Sequence, residues 1–256
     1  MKEGFDIPDH VINRIAFGIG ETARAAFHSM LQEVRAEGQP LGNIDFNKLV
    51  PMPPELNIDS GSRTDTGLKL FGDYLREATQ IAADMPDATP NERAAALFRY
   101  MDSWQKKHKV DPEVWELGKK AYRNIQKYGC ATWREWRGLN WGNKWNAYQC
   151  APLDERADTM EFQTANCAVP KIAAAISKRF PGQTVAYSWF GLDLTQGLGR
   201  MVFQNGRAVS INVPEDELAL ACAMSAGVWR FGAKEGQSTE DRQTQRKKTG
   251  RKGAER

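Results

Sequence analysis

Apolar residues recur along this chain every second position, then every third or fourth, then every second again. Val11, Ile15, Phe17 and Ile19 fall on one face with Asn13 interrupting, a period that predicts a half-buried strand. Gly18 and Gly20 punctuate, and Ala23, Phe27, Met30, Leu31 and Val34 then follow helical spacing up to Arg35. Ile44, Phe46 and Val50 predict a second strand, stopped where Pro51, Pro53 and Pro54 remove ladder donors. Three helices follow. Phe71, Tyr74, Leu75, Ala78, Ile81, Ala82 and Met85 make the first stripe, closed by Pro86. Thr89, Pro90 and Glu92 form a capping-box start leading into Leu97, Phe98, Met101 and Trp104. Asp111 and Pro112 repeat that start before Val114, Trp115, Gly118, Ala121, Tyr122 and Ile125, with Gly129 placed for a left-handed end. The β pattern then returns. Trp145 to Ala151 reads as one strand, Met160, Phe162 and Thr164 as the next, and Val169, Ile172, Ala175, Ile176 and Phe180 as a helix. Val185, Tyr187 and Trp189 alternate on a strand, and Asn205-Gly206 between Met201/Phe203 and Val209/Ile211/Val213 is a strong hairpin signal. A last helix is expected from about Pro214 to Ala226.

This order predicts an α+β fold in four parts. Residues 1–59 supply the first half of a core, 60–127 a helical insertion, 128–231 the second half of the core, and 232–256 a disordered basic tail. The densest feature is Tyr128 to Tyr148, which holds Trp133, Trp136, Trp141 and Trp145 among Arg134, Arg137, Lys144, Asn140, Asn143 and Asn146. Four indoles so close make either a core nucleus or a flat recognition platform of Trp133, Trp136, Arg137, Lys144, Trp145 and Tyr148, and both uses stay open. On the core reading, Trp141 and Trp145 are the two buried members.

Composition narrows the classes. With 41% hydrophobic and 26% charged residues, the chain is an ordinary globular candidate. Four cysteines without a CxxC pair, and three histidines, make neither a zinc site nor a disulfide scaffold, so a reducing cytoplasm is the expected home. The N-terminus lacks a signal-peptide pattern, and the apolar run Leu218 to Trp229 is too short for a bilayer, so no membrane role is expected. Within a net charge of +3, Arg242 to Arg256 carries seven basic residues and one acid, leaving the body at −3. Arg242, Arg246, Lys247, Lys248, Arg251 and Lys252 are thus the tail residues expected to contact phosphate, if the tail does more than solubilise.

Three stretches, HVINRI, LVPMPPEL and NWGNKWNAY, together resemble the YubB-like ferredoxin-like family of bacterial phages and plasmids, as does EFQTANCAVPKIAAAISKRFP. The resemblance covers about Pro8 to Leu56 and Tyr128 to Val213. It implies a ferredoxin-like two-layer core with βαβ repeated twice, and an accessory role in a mobile genetic element. Ser188, Trp189 and Phe190 stand where the family tends to carry acids, leaving Asp193 as the nearest one.

Chemistry is harder to find. Gly18 to Ala23 has GxGxxA spacing between a strand and a helix, but no acid closes the second strand and no third parallel strand follows, so it reads as a tight turn and no cofactor is implied. His10, His28 and His108 lack motif partners. Cys130, Cys150 and Cys167 read as small buried hydrophobes, and Glu135, Glu161 and Asp193 make no legible pair. No catalytic or metal-binding residue is named. The expectation is a non-catalytic binding protein, nucleic-acid-associated through aromatics and basic arm. An antagonist binding a host defence protein is the alternative, and an enzyme of unknown reaction the third reading.

Overall fold

The computed structural model describes residues 10–154, 156–191 and 198–212. The expected helix from Pro214 to Ala226, the basic tail and Asp193 lie outside the described residues. A central strand, β1 (His10–Phe17), is flanked by β2 (Thr159–Ala165) and β3 (Val185–Gly191); β4 (Leu198–Gln204) and β5 (Arg207–Asn212) extend the sheet beyond β3. Every pairing is antiparallel, in the order β2-β1-β3-β4-β5. Because side chains alternate, the register puts Ile15 beside Met160 and Tyr187, and Phe17 beside Val185, on one face. Against that face pack α1 (Glu21–Val34), through Phe27, Met30 and Leu31, and α7 (Pro170–Arg179), through Ile172, Ala173 and Ile176. The fold is α+β with a two-layer core. β2, α7 and β3 form a split β-α-β unit, two strands of one direction straddling the opposed β1.

Asn13, which breaks the apolar alternation of β1, is fully buried in this layer. Its Nδ2 donates to Thr164 Oγ1 at 2.8 Å, and its Oδ1 accepts from the Tyr187 hydroxyl at 2.7 Å. The same hydroxyl accepts from Val169 N–H at 2.7 Å, so sheet and α7 meet through a satisfied polar chain. β1 ends at Phe17, not Ile19, whose side chain is fully exposed. The glycine-flanked turn after it does not sit between parallel strands, since both neighbours of β1 run antiparallel. That is not the setting of a dinucleotide-binding turn.

Two expected strands are not strands. Ile44 makes a single bridge to Arg35, and Phe46–Leu49 is instead a short helix, α2. Asp45 explains the change: its side chain accepts from Asn47 N–H, capping the turn, and Val50 N–H closes onto the Phe46 carbonyl. Residues 145–151 likewise form no regular strand, although Tyr148 and Gln163 exchange both backbone bonds, at 3.0 and 2.8 Å, along the outer edge of β2. Gln149 at φ 46 interrupts the ladder, and pairing resumes only at Ala151, which donates to Glu161.

Between a single 3-10 turn at Pro54–Leu56 and the tryptophan-rich stretch lie α3 (Ser62–Ala83), α4 (Pro90–His108) and α5 (Pro112–Tyr128). Thr89 and Glu92 form the complete capping box, Asp111 caps α5, and Gly129 at φ 74 ends it. Tyr74, Ala78, Trp104 and Trp115 build a core separate from that under the sheet. α3 and α5 cross at Gly67 and Gly118, where an added Cβ would stand 2.1 Å from the carbonyl oxygen of Val114 or Gly67 respectively.

Candidate functional site

The tryptophan-rich stretch divides by exposure. Thr132 and Glu135 form a capping box that starts α6 (Trp133–Asn140), in which Trp136 is buried and Trp133, one turn earlier on the same face, is half-buried. Trp136 is 8% exposed and meets Trp141 edge to face; Trp141 is 1% exposed and donates its indole N–H to the Val50 carbonyl at 2.8 Å. Both are core. Trp145, expected to be buried, is 46% exposed. The Asn143 side chain donates to the Ala165 carbonyl while its oxygen accepts Trp145 N–H, and this turn points the chain outward.

What remains at the surface is a smaller platform than the sequence suggests. Trp133 and Trp145 lie 5.8 Å apart between ring centroids, Lys144 Nζ sits 5.3 Å over Trp145, and the Arg137 guanidinium lies 5.0 Å from Trp133 and 4.8 Å from Trp141. Trp136 drops out into the core. Tyr148 is half-buried beside the sheet edge, its hydroxyl 2.8 Å from His10 Nδ1. The six named tail residues, Arg242 to Lys252, fall outside the described residues.

Arg137 connects the platform to a cavity of about 370 Å³. Met52, Pro54 and Trp141 give it apolar walls, and Asp45, Asn47, Asn57, Asn146 and Arg137 line it with polar groups. The backbone spends the amide oxygens: Asn47 Oδ1 accepts Met52 N–H, and Asn146 Oδ1 accepts Phe46 and Ala147 N–H. Asn146 Nδ2 and Asn47 N–H both donate to Asp45 Oδ1, each at 2.9 Å. Arg137 differs from its neighbours. Among the described residues three arginines carry a buried, unpaired Nε, but Arg14 and Arg93 still bond through Nη2, to Glu161 and to the Met85 carbonyl. The Arg137 side chain makes no hydrogen bond or ion pair among the described residues. Burial pushes its pKa down, and the charge of Asp45 draws it partly back. A sequence reading reaches Arg137 and Asn146 through the tryptophan-rich stretch; Asp45 and Asn47 are missed, because a strand would have placed them otherwise.

His28 packs edge-on against Phe27 and His108 stacks on Trp104. Burial raises the pKa of Cys130, Cys150 and Cys167, which keeps them thiols. Among the described residues no group of His, Cys, Asp and Glu could hold a metal ion, and no helix is long and apolar enough to cross a membrane.

No protein-family model matches the chain, and no curated protein does. A solved structure, that of protein api92 from Yersinia pseudotuberculosis, of the DUF1281 family model, is similar at 12% identity and a TM-score of 0.38, over 81% of this chain and 98% of that one.

Proposed function

We propose that the chain is a non-catalytic binding protein whose platform of Trp133, Trp145, Arg137 and Lys144 takes single-stranded nucleic acid. One observation carries the reading: an indole pair, Trp145 exposed and Trp133 half-buried, flanked by two cations. Bases present π-faces that stack on such rings, and phosphates between them meet the cations. Trp133 to Asn146 holds three basic residues and one acid, against the net acidic body. The basic tail would add non-specific phosphate contacts. A bacterial cytoplasm and a phage or plasmid origin belong to this proposal through the family resemblance alone. The net acidic body favours the second reading, a protein-directed antagonist.

Titration of the full chain with a labelled single-stranded oligonucleotide at low salt separates the two. Trp145→Ala is expected to weaken binding about tenfold or more, since one stacked base contributes roughly 1–3 kcal/mol. Binding should also fall steeply with salt. No binding at low salt removes the nucleic-acid reading and leaves the protein partner.

A further inference from the structure

We propose that the cavity beside the platform is a base-reading pocket, in which Asp45 and Arg137 together select a guanine from a strand stacked on Trp133 and Trp145. The inference rests on the nucleic-acid reading above and adds a sequence preference to it. Its starting point is the unpaired guanidinium. The cation lies between two indoles and lines the cavity; its Nε is buried and its side chain has no acceptor among the described residues, so its outer N–H donors are free for a ligand oxygen. Asp45 faces the same cavity without closing an ion pair with Arg137, and both hydrogen bonds it accepts fall on Oδ1. The site therefore offers an acceptor and a donor on the lining of one open space.

That arrangement decides the ligand class. A phosphate or carboxylate would meet Arg137 but be repelled by Asp45. A group with neighbouring donors and an acceptor satisfies both residues. Among the bases, guanine presents this edge: N1–H and the 2-amino group donate to the Asp45 carboxylate, while O6 accepts from Arg137. Thymine and adenine lack a pair of donors directed at a carboxylate in this way, and cytosine offers one amino group. At about 370 Å³ the cavity lies within the range of small-molecule sites, roughly 300–1,000 Å³, and Met52 and Pro54 supply apolar contact for a ring. Because Arg137 lines the cavity and also lies over Trp133, a base entering the pocket would be next to bases on the platform.

The test uses oligothymidylate pentamers carrying one central guanine, adenine, cytosine or inosine, titrated into the full chain at constant low salt. The guanine pentamer is expected to bind about tenfold tighter than plain oligothymidylate. Inosine, which lacks the 2-amino group, should lose part of that preference. Asp45→Asn keeps an oxygen for Asn47 N–H and Asn146, and within that variant the guanine pentamer should bind no tighter than plain oligothymidylate, with the melting temperature little changed. If that variant does not fold, the comparison of inosine with guanine still decides. Equal affinity for all pentamers overturns the pocket and leaves the platform standing; equal affinity for inosine and guanine overturns the carboxylate contact. Absence of binding by every pentamer overturns both.

Discussion

Trp141 and Trp145 stand four positions apart in one stretch, yet burial separates them. Trp141→Ala removes a fully buried ring and leaves the Val50 carbonyl without its donor, so a loss of about 3–5 kcal/mol is expected in urea denaturation. Trp145→Ala removes a ring that is nearly half exposed and should change stability by less than about 1 kcal/mol. Equal losses would place Trp145 in the core. The sequence makes both indoles visible but not their orientation, because the Asn143 turn that sends Trp145 outward depends on the distant Ala165 carbonyl. Asn13 teaches the same point in reverse. It looks like a polar interruption of a strand, while its partners Thr164 and Tyr187 lie more than a hundred residues away and make it a core residue.

At the scale of elements, two glycines of one helix give opposite expectations. In α3, a Cβ on Gly67 would stand 2.1 Å from the Val114 carbonyl oxygen, an obstacle that cannot rotate aside, whereas nothing lies within 4 Å of one on Gly72. Gly67→Ala should therefore destabilise by about 1–3 kcal/mol or more, by forcing α3 and α5 apart. Gly72→Ala should stabilise by roughly 0.5–1 kcal/mol, by removing backbone freedom from a helix interior. Thermal melts followed by circular dichroism check both signs, and a neutral Gly67→Ala would mean that the helices can separate freely. Elements whose signals are local are legible in the sequence. The stripe of α1, the Thr89–Glu92 capping box and the Asn205-Gly206 turn, with φ of 50 and 80, all form as expected. Residues 44–50 and 145–151 mislead because alternation alone does not make a strand. In the first, the Asp45 cap favours a helical turn; in the second, Gln149 breaks the pairing along β2. The cavity between these two segments was correspondingly invisible.

Across the whole molecule, burial of phenols and thiols sets how the fold responds to alkali. The Tyr187 hydroxyl lies in the middle of the layer between sheet and α7, and burial raises its pKa far above the ordinary 10.0. Burial also raises Tyr74 and Tyr148, and the hydrogen bond to Glu77 holds Tyr100 at about 12. Cys130, Cys150 and Cys167 are raised from 9.0 by burial as well. Each group keeps its proton in the folded chain at a pH where the unfolded chain has released it. The stability these groups contribute is thus fully present below their ordinary values and is lost as pH rises through 9.0 and 10.0 toward the folded-state values. Tyr187→Phe removes one of these protons but also leaves Val169 N–H and Asn13 Oδ1 without their partner. It should therefore lower stability near neutrality by about 1–3 kcal/mol and make the alkaline loss shallower than in the parent chain. Guanidinium denaturation at a series of pH values from about 8 to about 11 measures both effects. Parallel curves for the two chains would mean that Tyr187 ionises without unfolding the protein, and that its hydroxyl is reachable from solvent.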